Sequence, residues 1–226
     1  MDKINKLIVI GDVHGKTGWE EVLEEHLKGP DDHAVFLGDY VDSFNVRPED
    51  MIKNMENIFS LAGDDYRIHL CVGNHDFHYI EMHYQFYSGY NDRFAWTYHS
   101  IFREYADILS VAYFFEKDGV KYICSHAGVT KTFLDDNEID VYSLNRLWME
   151  RPTVFGHKRG NIYGDDVFQS PLWVRPYSLM DDAVPGFTQI VGHTWHEKPT
   201  RYEIPHDKNN HICVICGEDE ENYAIF

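Results

Sequence analysis

Leu7-Ile8-Val9-Ile10-Gly11-Asp12-Val13-His14-Gly15 decides how this chain is read. Four apolar residues without polar alternation describe a strand buried on both faces, and a Gly-Asp turn ends it. The unit recurs. Ala34-Val35-Phe36-Leu37 runs into Gly38-Asp39-Tyr40-Val41-Asp42, and residues 67–72 run into Gly73-Asn74-His75-Asp76. Between the first two units, Trp19, Val22, Leu23, His26 and Leu27 share one helical face. After Pro48, which suits a first helical turn, Met51, Ile52, Met55, Ile58, Phe59 and Ala62 fall at helical spacing. Three strand–loop–helix units in succession predict right-handed crossovers and a largely parallel sheet.

Downstream the pattern changes. A helical region over 91–106 is followed by 111–115 and 120–124, which flank Lys117-Asp118-Gly119 as a hairpin. Residues 186–191 read as a later strand, and 201–204, 211–215 and 223–226 as a closing meander. The stretch 151–185 is rich in Pro, Gly and aromatics and has little periodicity. An irregular segment of that length inside a compact domain suggests a wall or lid over a site. The expectation is one α/β domain with mixed β-sheets, spanning residues 1–226.

Composition narrows the classes. At 226 residues, 43% hydrophobic and 15% aromatic, the chain can build a core without staples. Its net charge of −18 repels polyanions, which argues against binding to long nucleic acid, and there is no basic stripe. Glu218-Asp219-Glu220-Glu221 reads as a solvated turn. Cys71 and Cys124 sit in apolar runs as core thiols. Cys213-Val214-Ile215-Cys216 has metal-like spacing, but it lies in a predicted strand with no second pair to complete a zinc site. No segment has the length of a membrane span or the form of a signal peptide, so a soluble, cytoplasmic protein with no membrane partner is expected.

Five polar clusters each follow a predicted buried strand. They are Gly11 to Gly15, Gly38 to Asp42, Gly73 to Asp76, Ser125-His126-Ala127-Gly128 and Gly192-His193-Thr194. In open α/β sheets the carboxyl ends of strands converge on one edge, where ligands bind. Asp12, His14, Asp39, Asn74, His126 and His193 would meet there as oxygen and nitrogen donors without a thiolate. Such a set suits manganese, iron or zinc. Six donors are too many for one ion with an open position, and they fit two divalent ions sharing one carboxylate. Pairs of that kind clamp both oxygens of a phosphoryl transfer and lower the pKa of bound water from 15.7 to about 7.

The series GDVHG, GDYVD, GNHD, SHAG, GHT resembles the calcineurin-like metallophosphoesterases, nearest to their phosphoprotein phosphatase branch, over residues 7 to 200. The resemblance implies a pair of β-sheets sandwiched between helices, a four-layer architecture with metals at the sheet edge. It implies that Asp12 and His14 bind one ion, that Asp39 bridges, and that Asn74, His126 and His193 complete the second, with manganese the expected metal. His75 would protonate the leaving oxygen and Asp42 would pair with it. The implied substrate is a phosphorylated protein or small molecule, hydrolysed by a serine/threonine-type phosphomonoesterase. Dinucleoside polyphosphate hydrolysis, or a non-catalytic interaction module on the same fold, are the alternatives.

The chain departs from that branch in two places. Ser43-Phe44 stands where the branch usually carries Arg-Gly, so the phosphate-gripping guanidinium must come from elsewhere. Arg175, in the long irregular segment, is favoured over Arg47. The last motif reads Gly192-His193-Thr194-Trp195-His196, which leaves His196 one position too far for a ligand. His78, His83, His99 and His157 receive no role.

Overall fold

The computed structural model describes residues 4–82, 84–158, 165–218 and 221–226. His83, Asp219 and Glu220 lie outside the described residues, as does 159–164 within the long irregular segment. The repeated apolar units form β1 (Lys6–Ile10), β2 (Asp32–Phe36) and β3 (Ile68–Cys71), and they are joined through α1 (Trp19–His26) and α2 (Pro48–Asp64). β1, β2 and β3 pair in parallel, and β3 pairs with the two-residue β4 (Leu109–Ser110), also parallel. The sequence reading of a largely parallel sheet holds for these four strands.

The second sheet begins with the hairpin β5 (Tyr113–Lys117) and β6 (Val120–Cys124). Asp118 and Gly119 both take positive φ (52° and 78°), the primed turn that matches strand twist. β6 pairs in parallel with β7 (Thr188–Val191), β7 with β9 (His211–Val214), and β8 (Thr200–Glu203) closes antiparallel to β9. The expected closing meander is broken. β10 (Tyr223–Ile225) leaves this sheet and pairs antiparallel with β1. The sheet orders are therefore β10-β1-β2-β3-β4 and β5-β6-β7-β9-β8.

Burial on both faces explains the unbroken apolar runs. Leu7, Val9, Val35, Leu37 and Cys71 of the first sheet meet Phe115, Cys124, Ile190 and Ile215 of the second in one buried cluster. Ile8, Ile10, Ala34 and Phe36 point the other way, onto Trp19, Leu23, Met55, Ile58 and Phe59 of α1 and α2. On the far side of the second sheet, Val191, Ile212 and Val214 pack on Leu179 of α7 (Pro176–Asp182). The order is helices, sheet, sheet, helices. Each buried aliphatic side chain stabilises by ~1.5–3 kcal/mol, so a polar residue at any of these strand positions would be costly. Among the described residues α3 (Asn74–Ile80), α5 (Lys131–Asp136) and α6 (Leu144–Glu150), like α7, were not expected from periodicity, whereas α4 (Ala95–Glu104) was.

This arrangement aims the site. Parallel pairing puts the carboxyl ends of β1, β2 and β3 on one edge, and those of β6 and β7 on the neighbouring one. All five polar clusters follow those ends.

Candidate metal centre

The five loops close on each other through very tight backbone approaches. Gly73 packs its Cα on the Asp39 carboxylate, and a methyl group there would collide with Asp39 Oδ1. Asp76 ties the same two loops. Its Oδ2 accepts from the Asp39 and Gly73 amides and its Oδ1 from the Tyr40 amide, each at 2.8 Å. Six non-glycine residues among those described have positive φ, and four stand at this edge: His14 (43°), Asp39 (54°), Asp42 (64°) and His193 (62°). Strained backbone of this kind persists only where its surroundings hold it, and it concentrates at functional sites.

All six residues expected to bind metal come together. Asp39 Oδ2 lies 3.6 Å from His14 Nε2 and 3.5 Å from His126 Nε2. Asn74 Oδ1 lies 2.8 Å from His126 Nε2 and 2.9 Å from His193 Nδ1. Asp12 Oδ1 accepts from the His193 amide at 2.9 Å and lies 3.9 Å from His126 Nδ1. Asp12, Asp39 and His126 are buried, and each offers a ligand atom within 4.8 Å of the others.

The tautomers test whether cations fit. Nδ1 of His14 sits 2.7 Å from the Val41 carbonyl, and Nδ1 of His126 sits 2.9 Å from the Leu37 carbonyl. A carbonyl can only accept, so in each neutral ring Nδ1 carries the proton and Nε2 is a bare lone pair. Both lone pairs face Asp39. Nε2 of His126 also faces Asn74 Oδ1, acceptor against acceptor at 2.8 Å. Nε2 of His193 is buried without a hydrogen-bond partner. Burial in the first place, then the neighbouring His126 and Arg175, hold His193 well below its ordinary pKa, so its ring is neutral. Ligand atoms gathered in this way, with the Nδ1 of His14 and of His126 each occupied by a carbonyl and both Nε2 atoms turned to the Asp39 carboxylate, fit divalent cations. The carbonyls behind the rings are the outer partners that orient metal-binding imidazoles.

Beside this centre stands the expected acid pair. His75 Nδ1 is 3.0 Å from Asp42 Oδ2, and the His75 amide donates to Asp39 Oδ1 at 2.8 Å. Burial alone would lower the His75 pKa. The charges of Asp39 and Asp42 and the hydrogen bond that His75 donates to Asp42 outweigh it and raise the ring to about 9. Burial likewise works to raise Asp42, but the contacts from His75, His78 and Tyr79 hold its carboxyl below the usual range.

Sequence reasoning missed two of those contacts. The Tyr79 hydroxyl donates to Asp42 Oδ1 at 2.6 Å. His78 is fully buried, and its Nδ1 accepts from the Tyr87 amide at 3.3 Å. The neutral ring therefore carries its proton on Nε2, which lies 2.7 Å from Asp42 Oδ2, though off the hydrogen-bond axis. Helical spacing places His75, His78 and Tyr79 on one side of α3, a signal that a recognised helix would have revealed. Cys216 was missed too. Its thiol donates to Asp12 Oδ2 at 3.1 Å, while Cys213 lies half-buried on β9.

A cavity of about 340 Å³ opens over the centre. Asp12, His14, Asp39, Asn74, His75 and His193 form its floor, and Tyr87, Ser88, His157, Trp173 and Arg175 form its walls. The long segment thus contributes a wall, and Arg175 at the start of α7 reaches the cavity while Nη1 donates to Thr194 at 3.3 Å. Arg47 does not. It caps α2 on the surface and pairs with Asp50 at 2.8 Å. His196 turns away, to Tyr202 Oη and the Thr194 carbonyl, both at 2.7 Å.

Residues 6–218 match the calcineurin-like phosphoesterase family. A protein phosphatase 2A catalytic subunit of Dictyostelium discoideum is 33% identical over 141 residues, 59% of this chain and 41% of that one. The chain therefore spans less than half of that relative's length. A cold-active protein-tyrosine phosphatase of a psychrophilic Shewanella shares the fold at a TM-score of 0.60, with 16% identity over 98% of this chain and 75% of that one. A protein serine/threonine phosphatase of Saccharomyces cerevisiae does so at 0.57, with 16% identity over 96% and 68%.

Proposed function

The chain belongs to the calcineurin-like phosphoesterases, a family of phosphate-ester hydrolases, and on that premise we propose that it hydrolyses phosphate monoesters of the serine/threonine type with two divalent ions. The observation that carries the reading is the convergence of His14 Nε2 and His126 Nε2 on the Asp39 carboxylate. Asp12 and His14 would hold one ion and Asn74, His126 and His193 the other, with Asp39 shared. Oxygen and nitrogen donors without a thiolate suit manganese first, and iron or zinc after it. Bound there, the ions supply Lewis acidity and lower the pKa of water from 15.7 to about 7.

The chain's own residues do the rest. His75, with Nδ1 turned to Asp42, keeps its Nε2 proton for the leaving oxygen, and its raised pKa keeps that proton in place at neutral pH. Asp42, held by three partners, fixes the ring's orientation and charge. Arg175 offers a planar fork to the phosphate oxygens from the cavity wall. The partner is thus a phosphorylated protein or small molecule. Four cysteines without disulfides support a reducing, cytoplasmic setting. No helix among the described residues is long and apolar enough to cross a membrane.

Phosphate release from alkyl and aryl monoesters, with and without added manganese, tests the proposal. Metal-dependent release from both is expected. No release with manganese, iron or zinc would leave a non-catalytic module. Release from dinucleoside polyphosphates alone would move the substrate class.

A further inference from the structure

A second hollow, about 650 Å³, opens beside the cavity over the metal centre and shares Asp12, His14, His75 and His193 with it. Two large aromatic side chains stand in its walls and are exposed: Phe44 at 82% and Trp195 at 62%. They come from different loops, after β2 and after β7. Single exposed apolar residues are ordinary, but two turned into one hollow that opens on a reactive centre make a patch with a use. Trp195 also lines an adjoining hollow with Tyr177 and Tyr202, so the aromatic surface extends outward from the site.

Charge restricts what can lie there. Lys16, the one lysine among the described residues that line the hollow, gives its ammonium to the carbonyls of Asp12 (3.1 Å) and Gly217 (2.9 Å). Glu218 stands on its wall, and the chain as a whole carries −18. Apart from Lys16, no lysine or arginine among the described residues lines this hollow to pair with a second anionic group, such as the rest of a polyphosphate. A neutral planar ring needs no such partner, and aromatic faces hold such rings by stacking. Position fixes which part of a substrate reaches it. His75 and Asp42 also line this hollow, so it lies on the side where a proton is given to the leaving oxygen.

We infer that Phe44 and Trp195 form a subsite for an uncharged aromatic group on the alcohol side of the phosphate ester. This rests on the reading of the centre as a phosphomonoesterase site, and it makes the two aromatics determinants of which monoesters are taken.

The test separates ring recognition from chemical reactivity. Binding of 3-phenylpropylphosphonate and propylphosphonate to the manganese-loaded protein is measured by calorimetry, with 3-cyclohexylpropylphosphonate as a control for apolar bulk. The phenyl probe should bind at least about tenfold tighter than the propyl probe, the worth of one ring stacked on one aromatic side chain. It should also bind tighter than the cyclohexyl probe. In Phe44→Ala/Trp195→Ala the phenyl-to-propyl ratio should fall toward one. Tyr66→Ala, an exposed aromatic hydrogen-bonded to Pro30 at the opposite sheet edge, should keep it. Equal affinities in the unaltered protein, no detectable binding of either probe, or a ratio that survives the double substitution would each overturn the subsite. Hydrolysis of ethyl and 2-phenylethyl phosphate, whose leaving alcohols are of similar acidity, is followed in parallel. Ring preference in binding without turnover sinks the phosphatase reading and leaves the subsite standing. Turnover without ring preference does the reverse.

Discussion

Asp42→Asn is the perturbation that asks most of the acid assignment. The substitution keeps the size of the side chain and removes the charge 3.0 Å from His75 Nδ1. Asp39 also raises His75, but cations bound at Asp39 would cancel its share, which leaves Asp42 as the partner that holds the ring protonated. A hydrogen bond between charged groups contributes ~1.5–3 kcal/mol, and one pKa unit corresponds to 1.36 kcal/mol. Losing it should lower the His75 pKa by about 1–2 units. The sign follows from the role. A general acid works in its protonated form, so activity falls as pH rises through its pKa, and lowering that pKa moves the fall toward acid. The measurement is kcat/KM against pH on an alkyl phosphate, which reports the free enzyme. The alkaline limb should shift down by about 1–2 units, with a deficit of roughly 10- to 100-fold above the limb and little below it. On an aryl phosphate, whose leaving group scarcely needs a proton, the deficit should shrink. An unmoved limb, or equal losses on both substrates at every pH, would refute the acid role of His75.

Three other outcomes bear on the same site and on the fold. Arg175→Ala should raise KM and lower kcat/KM by an amount equivalent to ~1.5–3 kcal/mol, with only partial recovery in Arg175→Lys, because an ammonium cannot fork onto two oxygens. Arg47→Ala should be silent, and the reverse pattern in steady-state kinetics would overturn the clamp. Asp39→Asn should lose most bound metal by elemental analysis, since the one carboxylate facing both His14 and His126 loses its charge. Two ions per chain in that variant would be fatal to the bridging role. Far from the site, the Gly29 amide first, then Asn5, the Lys28 amide and Lys6, outweigh burial and hold Asp32 down to about 2 from 3.8. A depressed carboxyl stabilises the native state above its unfolded pKa and loses that contribution as pH falls through the folded one. Asp32→Asn should therefore cost up to ~2 kcal/mol in urea melts at pH 7 and almost nothing near pH 2. A cost independent of pH would contradict this.

The site was more legible than the wiring of the fold, for a physical reason. Each ligand candidate follows a strand buried on both faces, and such strands announce themselves as unbroken apolar runs. The chemistry-bearing residue is then read off the next turn. β10 was expected as a strand but in the wrong sheet, because its partner, β1, stands at the opposite end of the sequence. Local alternation joined it to β8 and β9, and only tertiary packing sends it to the other sheet. α3 hid because Asn74, His75 and Asp76 dominate its first turn and it spans seven residues, too short for periodicity to show. With α3 unrecognised, His78 and Tyr79 could not be seen to share a side with His75. Cys216 was judged as half of a Cys-x-x-Cys pair, whereas its partner is Asp12, on the loop after β1 of the other sheet.

These misses have a common form. The residues that hold the catalytic candidates, as opposed to the candidates themselves, are defined by who their neighbour is. Asp76 looks like one more ligand in Gly-Asn-His-Asp, yet it spends both carboxylate oxygens on backbone amides of two loops and faces no histidine. Burial first, and then the charge of Asp39, push its pKa well up even against the three amide donors at 2.8 Å that work to lower it. The arrangement is costly by local rules: positive φ at four non-glycine residues, acceptor facing acceptor, and acids crowded in a dry place. The sandwich tolerates it because large buried clusters pack the two sheets on each other and on both helical layers. Where local rules fail together on so sound a scaffold, the failures mark the place where a bound cation would satisfy them at once.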